Sequence, residues 1–180
     1  MLKHQDQRIG VFVDVQNMYY SARNLYGARA HFGKILEQAV GDRKLIRAVA
    51  YVIKAEAPEE AKFFEALDKQ GFELKMKDLQ VFVGGAKKGD WDVGLAIDAI
   101  SMAPKLDVVV LATGDGDFVP LVQFLQFQGV RVEVIAFAPT ASQKLREQAD
   151  DFCDLSAEQA KFLIRSRVLS GQGRLGRTVR

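Results

Sequence analysis

The sequence predicts an α/β protein in which a mainly parallel β-sheet is covered by helices on both faces. Short runs of β-branched and aliphatic residues alternate with longer helical stretches, which is the pattern of strand-helix-strand units. The run Val108-Val109-Val110-Leu111 lacks polar alternation, as expected for a central strand buried on both faces. The 180 residues, 48% of them hydrophobic, suffice for one full core and leave no room for a second domain.

Five strands are predicted from the apolar runs. In chain order they are Ile9–Val15, Leu45–Ile53, Phe72–Met76, Leu106–Leu111 and Val130–Phe137. A further short strand or hairpin arm is predicted at Asp78–Val83, before Gly84-Gly85. If the first and fourth strands are neighbours, their carboxyl ends meet at the edge where α/β sheets bind ligands.

Six helices are predicted between these strands, and a seventh near the end. They are Asn17–Tyr26, Phe32–Val40, Pro58–Gln70, Trp91–Met102, Phe118–Gln128, Ser142–Ala149 and Ala157–Val168. Proline and acidic residues at Pro58-Glu59-Glu60 indicate a first helical turn, while Gly71 and Gly129 are expected to terminate the helices that they follow.

Composition excludes several classes of protein. One cysteine and two histidines argue against a disulfide framework and a Cys/His zinc site. The sequence has neither a segment of about 20 apolar residues nor a signal-peptide pattern, so we expect a cytoplasmic protein without membrane contact.

Charge is distributed unevenly. Residues 161–180 carry six basic residues and no acidic one, which leaves 19 basic against 23 acidic residues in the remainder, a net charge of −4. We therefore divide the chain into a domain at 1–160 and a basic, flexible tail at 161–180. Such a tail could follow a phosphate backbone, or it is simply a soluble, frayed terminus.

Four aspartates fall where the active edge of such a sheet is expected: Asp14, Asp92, Asp115 and Asp117. Each alone could cap a helix. Together they favour a site that binds a divalent cation through oxygen, because clustered carboxylates repel one another without one. Gly114 and Gly116 frame Asp115 and permit a tight turn there. These residues predict metal-dependent phosphoryl-transfer chemistry.

Other polar residues have supporting roles in this hypothesis. Lys87 and Lys88 lie on a glycine-flanked loop, where they bind phosphate or are simply solvated. Asn17 and Thr113 could orient carboxylates or contact substrate. Asp98 lies in an apolar helical stretch and does not share a helical face with Asp92. It is therefore expected to support the residues of the site, or the fold, without binding the metal itself.

Competing motifs fail on particular residues. Asp90 stands where a phosphate-binding P-loop beginning at Gly84 needs lysine, and Val119 replaces the third glycine of a dinucleotide fingerprint beginning at Gly114. An EF-hand loop from Asp115 would need glycine and glutamate where the chain has Pro120 and Gln126.

Three segments together resemble the NYN domain family, which includes the LabA-like proteins and is a branch of the PIN-like nuclease superfamily. They are Phe12-Val13-Asp14-Val15-Gln16-Asn17, Lys88-Gly89-Asp90-Trp91-Asp92-Val93 with Leu95-Ala96-Ile97-Asp98, and Thr113-Gly114-Asp115-Gly116-Asp117-Phe118. The resemblance extends from about Arg8 to Leu155. It departs from the family at Asp90-Trp91, where small or apolar residues are usual.

The resemblance implies a three-layer α/β/α sandwich and an RNA-cleaving site that holds Mg²⁺ or Mn²⁺. Asp14, Asp92, Asp115 and Asp117 match its acidic positions, Asn17 matches the asparagine after the first, and Asp98 matches a further acidic position. The expected function is a ribonuclease acting on single-stranded RNA, with a homodimer as one possible assembly. Two alternatives stay open: a non-catalytic RNA- or protein-binding module, and a phosphatase or nucleotidase.

Overall fold

The computed structural model describes residues 4–54, 59–81, 87–88 and 90–165. The strands in these ranges are β1 (Arg8–Asp14), β2 (Arg29–Ala30), β3 (Lys44–Lys54), β4 (Glu73–Asp78), β5 (Gln80–Val81), β6 (Lys87–Lys88), β7 (Val108–Ala112), β8 (Arg131–Ala136), β9 (Asp151–Asp154) and β10 (Leu163–Ile164). The α-helices are α1 (Val15–Tyr26), α2 (Phe32–Val40), α3 (Glu60–Lys69), α4 (Asp92–Met102), α5 (Val119–Phe127), α6 (Gln143–Gln148) and α7 (Gln159–Phe162).

Six strands form one sheet in the order β4-β3-β1-β7-β8-β9, and every neighbouring pair is parallel. Numbered along the chain, this order is 3-2-1-4-5-6, which is the arrangement of a doubly wound sheet. The direction of strand addition reverses between β1 and β7. The α/β prediction is confirmed, and the reversal defines where a crevice opens at the carboxyl ends of the strands.

Side chains alternate along each strand and build two separate cores, one on each face of the sheet. On the first face, β1 presents Val11 and Val13 beneath α1, α2, α3 and α7. On the second, Phe12 packs beneath α4, α5 and α6. The result is the three-layer sandwich that the resemblance implied.

The predicted strands and the first six predicted helices are confirmed, with ends within two residues of those observed. Gly71 and Gly129 follow α3 and α5 with φ of +96° and +82°, a conformation that glycine adopts without a steric penalty. Residues 55–58, including Pro58, lie outside the described ranges. Within those ranges, no helix is long and apolar enough to cross a bilayer.

The end of the described chain differs from prediction. The helix predicted over Ala157–Val168 is wrong at Leu163 and Ile164, which instead pair with Ala30 and Arg29 of β2. The edge strand β9 was not predicted. Residues 161–164, assigned to the tail by charge, therefore belong to α7 and β10, and residues 166–180 lie outside the described ranges.

A buried ion pair ties α2 to the sheet. Arg43, just after α2, donates from Nη1 and Nη2 to the two carboxylate oxygens of Glu133 in β8, each at 2.9 Å. Its Nη2 also donates to the Ala39 carbonyl at 2.7 Å. Both side chains are buried, so the bidentate geometry compensates for the loss of hydration.

Candidate metal centre

The acidic residues lie at the carboxyl edge of the sheet, where strand order reverses. Asp14 is the last residue of β1, and Asp115 follows the end of its neighbour β7. Asp92 is the first residue of α4, and Asp117 lies in the 3₁₀ turn that leads into α5. Strand ends and helix starts thus deliver carboxylates to the crevice that this topology creates.

Three of these carboxylates converge. One oxygen each from Asp92, Asp115 and Asp117 lies within 4.8 Å of the others, the only such acidic, His or Cys group among the described residues. Asp92 and Asp115 are half-buried and Asp117 is exposed. Burial raises the pKa of Asp92, and the charges of Asp115, Asp90 and Asp117 raise it further. The cluster therefore has an excess of negative charge that a cation would relieve.

Asp14 lies beside this group, with both oxygens accepting hydrogen bonds. Oδ1 accepts from the Asn17 amide at 3.0 Å, which caps α1, and Oδ2 accepts from Thr113 Oγ1 at 3.3 Å. Burial raises the pKa of Asp14 to about 6, and the charges of Asp92 and Asp115 contribute in the same direction. Asp14 is thus both a helix cap and a carboxylate electrostatically coupled to the cluster.

Thr113 and Asn17 connect the two central strands at this edge. The fully buried Thr113 hydroxyl donates to Asp14 and accepts from the Asp115 amide at 3.2 Å. Asn17 Oδ1 accepts from the Gly114 amide at 2.9 Å. These bonds hold α1 and the loop after β7 in register, so the structure places both side chains where they orient the acidic residues.

Gly114 and Gly116 are needed for close packing. A Cβ on Gly114 would lie 3.0 Å from the Cα of Ala141, and one on Gly116 would lie 2.7 Å from Ser142 Oγ. Neither is among the four glycines of positive φ in the described chain. The tight turn that the sequence predicted therefore does not explain why these positions are glycine. The loop after β7 instead lies against the loop before α6, where Ser142 N donates to the Gly114 carbonyl at 2.8 Å.

Trp91 and Lys77 support Asp92, and sequence reasoning did not assign them a role. The indole Nε1 of Trp91 donates to the Val52 carbonyl of β3 at 2.9 Å, and its ring packs edge-on against Tyr51. Lys77 Nζ lies 4.3 Å from the Trp91 ring centroid and donates to the Asp90 carbonyl at 3.1 Å. Alternation in β4 puts Lys77 on the same face as Lys75. The contact of Lys77 with Trp91 could be predicted only if β4 and α4 were known to be close.

Asp98 lies away from the three converging carboxylates. Its Oδ1 accepts from Lys75 Nζ at 2.9 Å, and Oδ2 accepts from the Tyr51 hydroxyl at 2.7 Å. Burial acts to raise the pKa of Asp98, but these bonds outweigh it and lower the pKa. Since Tyr51 also packs against Trp91, this ring pair connects Asp98 to the first turn of α4, where Asp92 lies.

Lys87 and Lys88 form β6, which pairs antiparallel with Val81 and Gln80. Of the hairpin arm predicted at Asp78–Val83, β5 confirms Gln80 and Val81, whereas residues 82–83 lie outside the described ranges. The two lysines follow β4 and precede α4 in the chain. Their contact with phosphate stays a prediction.

The NYN domain family matches residues 8–156. The chain belongs to the NYN domain family. The three NYN-like segments of the sequence supply Asp14, Asp92, Asp115 and Asp117 at the carboxyl edge just described.

The chain is similar to several known proteins. One is the low amplitude and bright protein LabA of Synechococcus elongatus, which is 22% identical over 83% of this chain and 84% of LabA. An uncharacterized protein of Methanocaldococcus jannaschii is 34% identical over 49% of this chain and 34% of its own length. A crystal structure of a Vibrio parahaemolyticus protein of unknown function superposes with a TM-score of 0.81 at 34% identity, covering 91% of this chain and all of that one.

Proposed function

We propose that this protein is a divalent-metal-dependent ribonuclease. The observation that carries the proposal is the convergence of Asp92, Asp115 and Asp117 oxygens within 4.8 Å at the reversal point of the sheet. Membership of the NYN family, a branch of the PIN-like nucleases, supports a nucleic-acid substrate. Single-stranded RNA is the form of substrate that we propose.

The donor set fits Mg²⁺ or Mn²⁺. Hard divalent cations prefer carboxylate oxygens, and the three converging aspartates supply such oxygens. Asp92, Asp115 and Asp117 would hold the ion, with Asp14 as the fourth acidic residue of the centre. When bound, the ion supplies charge stabilisation for a phosphodiester and lowers the pKa of water.

The chain's own residues orient the centre and the substrate. Thr113 and Asn17 fix the Asp14 carboxylate and the loop that carries Asp115. Trp91, anchored on the Val52 carbonyl, fixes the first turn of α4 and hence Asp92. Lys87 and Lys88 are proposed to pair with phosphates on either side of the scissile bond, where electrostatic attraction to the backbone is independent of base sequence.

The test is cleavage of end-labelled single-stranded RNA with Mn²⁺ and then with EDTA. We expect shortened RNA only with the metal, and a loss of at least about 100-fold in rate for Asp115→Asn or Asp92→Asn. Asp42→Asn is the matched control, because Asp42 is exposed just before β3, at the opposite edge of the sheet.

Three outcomes would contradict the proposal. RNA that is retarded in a gel but not shortened indicates a binding module. Phosphate release from mononucleotides without cleavage of oligomers indicates a phosphatase or nucleotidase. Equal cleavage by Asp115→Asn and the parent protein places the activity elsewhere.

A further inference from the structure

Two neighbouring helices of the second face carry large apolar side chains that point into solvent. On α4 these are Val93, Ile97 and Ile100, exposed by 69%, 57% and 39%. Their spacing of four and three residues places them in one stripe along the helix. On α5 they are Phe124 and Phe127, exposed by 42% and 87%. We name these five residues the α4–α5 patch.

The α4 part and the α5 part of the patch lie next to each other. On α4, Asp98 binds Tyr51 and Lys75, so that flank faces β3 and β4. Ile100 is two residues further, about 200° around the helix, and therefore lies on the flank toward α5.

On α5, the other half is oriented in the same way. Gln126 Nε2 donates to the Gln148 carbonyl of α6 at 2.9 Å, so that flank faces α6. Phe124, two residues earlier, lies on the opposite flank, toward α4. Because α4 and α5 pack side by side, Ile100 and Phe124 join the two stripes into one continuous surface.

Neither α4 nor α5 turns a charged side chain toward this surface. The segment 118–130, which contains α5, has no charged residue. On α4, Asp92 turns to the acidic cluster and Asp98 pairs with Lys75. A neutral apolar face cannot hold a phosphate backbone, since that interaction depends on basic side chains. It can, however, be placed against an identical face without like-charge repulsion.

The size of the patch fits a dimer. Given their exposed fractions, the five residues present on the order of 500 Å² of mostly apolar surface, at the upper end for a monomer of this kind. A standard interface buries about 800 Å² per partner, of which about 56–65% is apolar. The patch therefore supplies the whole apolar portion of such an interface, with a polar rim around it.

We propose that a second copy of this chain binds to the α4–α5 patch about a two-fold axis. Each copy buries the same five residues against those of its partner. Phe127, the most exposed of the five, is the expected anchor, because large aromatic side chains dominate interface energies. This proposal is independent of the metal centre and of any activity.

The experiment is sedimentation velocity of the full chain over a range of concentrations. We expect a species of twice the 20.0 kDa chain mass. Phe127→Glu and Ile97→Glu should each weaken dimerisation by about 100-fold, the effect of losing an interface anchor. Ile46→Glu is the matched control, because Ile46 is also exposed but belongs to β3 and not to α4 or α5. Circular dichroism should show that all three variants are folded.

A mixing experiment separates self-association from other occupants. Phe127→Glu and Phe127→Lys should each be single copies alone and should pair when mixed, because the two charges then attract across the interface. A parent chain that remains a single copy at every concentration overturns the proposal. So does a Phe127→Glu variant that dimerises as well as the parent, or an Ile46→Glu control that loses as much dimerisation as Phe127→Glu.

Discussion

Asp14 has two roles that shift its pKa in opposite directions. As the cap of α1 it accepts from the Asn17 amide, which favours the ionised form. As a half-buried neighbour of Asp92 and Asp115, it is penalised when ionised, and its pKa rises from the usual 3.8 to about 6. A half-buried cap next to two other carboxylates points to a site whose charge is balanced only in the functional complex.

We predict that Asp14→Asn stabilises the metal-free protein at high pH. Because the pKa of Asp14 is raised on folding, its contribution to stability is full below about pH 3.8 and lost as pH rises through about 6. Asparagine keeps an oxygen for the Asn17 amide and removes the ionisation. In EDTA at pH 8, urea unfolding should show a gain on the order of 2 kcal/mol.

The same variant gives the control for that prediction. The gain should shrink as pH falls through 6, and near pH 4 the two proteins should unfold at similar urea concentrations. Equal stabilities at pH 8 would mean that ionised Asp14 does not destabilise the folded chain, which contradicts the prediction.

At the scale of elements, the candidate site depends on two loops that touch. The loop after β7 carries Asp115 and Asp117, and Gly114 and Gly116 let it lie against Ala141 and Ser142 before α6. Acidic loops of this kind need a rigid support, since a metal site tolerates only small displacements of its ligands. The support here is the direct contact of these two glycines with Ala141 and Ser142.

We predict that Gly116→Ala disturbs this contact and that Ser142→Gly repairs it. The new Cβ would lie 2.7 Å from Ser142 Oγ, so one of the loops must shift. Ser142 precedes α6 without a side-chain capping bond, so Ser142→Gly alone should cost only a few tenths of a kcal/mol. In a double-mutant cycle measured by urea unfolding, we expect about 1–2 kcal/mol of coupling. Additive effects would show that the loops are not in contact.

A second prediction concerns the ion pair that joins α2 to β8. Glu133→Gln leaves the buried Arg43 guanidinium with a neutral partner, which should cost about 3–5 kcal/mol of unfolding free energy. Asp6→Asn, which removes an exposed pair with Lys44, is the control and should change stability by less than about 1 kcal/mol. Similar thermal midpoints for the two variants would contradict the assigned burial.

At the scale of the whole molecule, strand order brings distant residues together. Asp14, Asp92 and Asp115 are far apart in sequence, and they are neighbours only because β1 lies next to β7 and α4 begins at the same edge. The same topology turns α4 and α5 outward on one face, so the metal centre and the α4–α5 patch are separate regions of one layer.

We predict that Mn²⁺ stabilises the folded protein through the acidic centre. Binding to the native state alone adds about 2.7 kcal/mol at a metal concentration 100 times the dissociation constant. Differential scanning calorimetry should show a higher Tm with Mn²⁺ for the parent and for Asp42→Asn, and no increase for the Asp115→Asn, Asp117→Asn double variant. A rise of equal size in the double variant would place the bound ion elsewhere.

Local patterns were sufficient to predict the sandwich. The apolar runs of β1, β3, β7 and β8 stand out because these strands are buried on both faces. The edge strand β9, Asp151-Phe152-Cys153-Asp154, gave no such signal because it is short, polar and half-buried. The two-residue strand β10 exists only through its pairing with β2, which no local preference encodes.

The candidate site was predictable in its residue types and less so in its partners. Spacing and the glycines pointed to Asp14, Asp92, Asp115 and Asp117, but Trp91 gains its role from the Val52 carbonyl, 39 positions earlier. Thr113 looked like a substrate contact from its place beside Asp115. Its burial, known only from the fold, makes it a bridge between Asp14 and Asp115.

The pairing of β10 with β2 affects when the domain can fold during its synthesis. Strand β2 belongs to the first crossover, between β1 and β3, yet its hydrogen-bonding partner β10 is translated after all six strands of the main sheet. His31, next to β2, likewise donates its amide to the Phe162 carbonyl at 2.8 Å. A nascent chain that lacks residues 159–164 leaves the edge of β2 unpaired, so the ribosome must release nearly the whole domain before its first crossover can close.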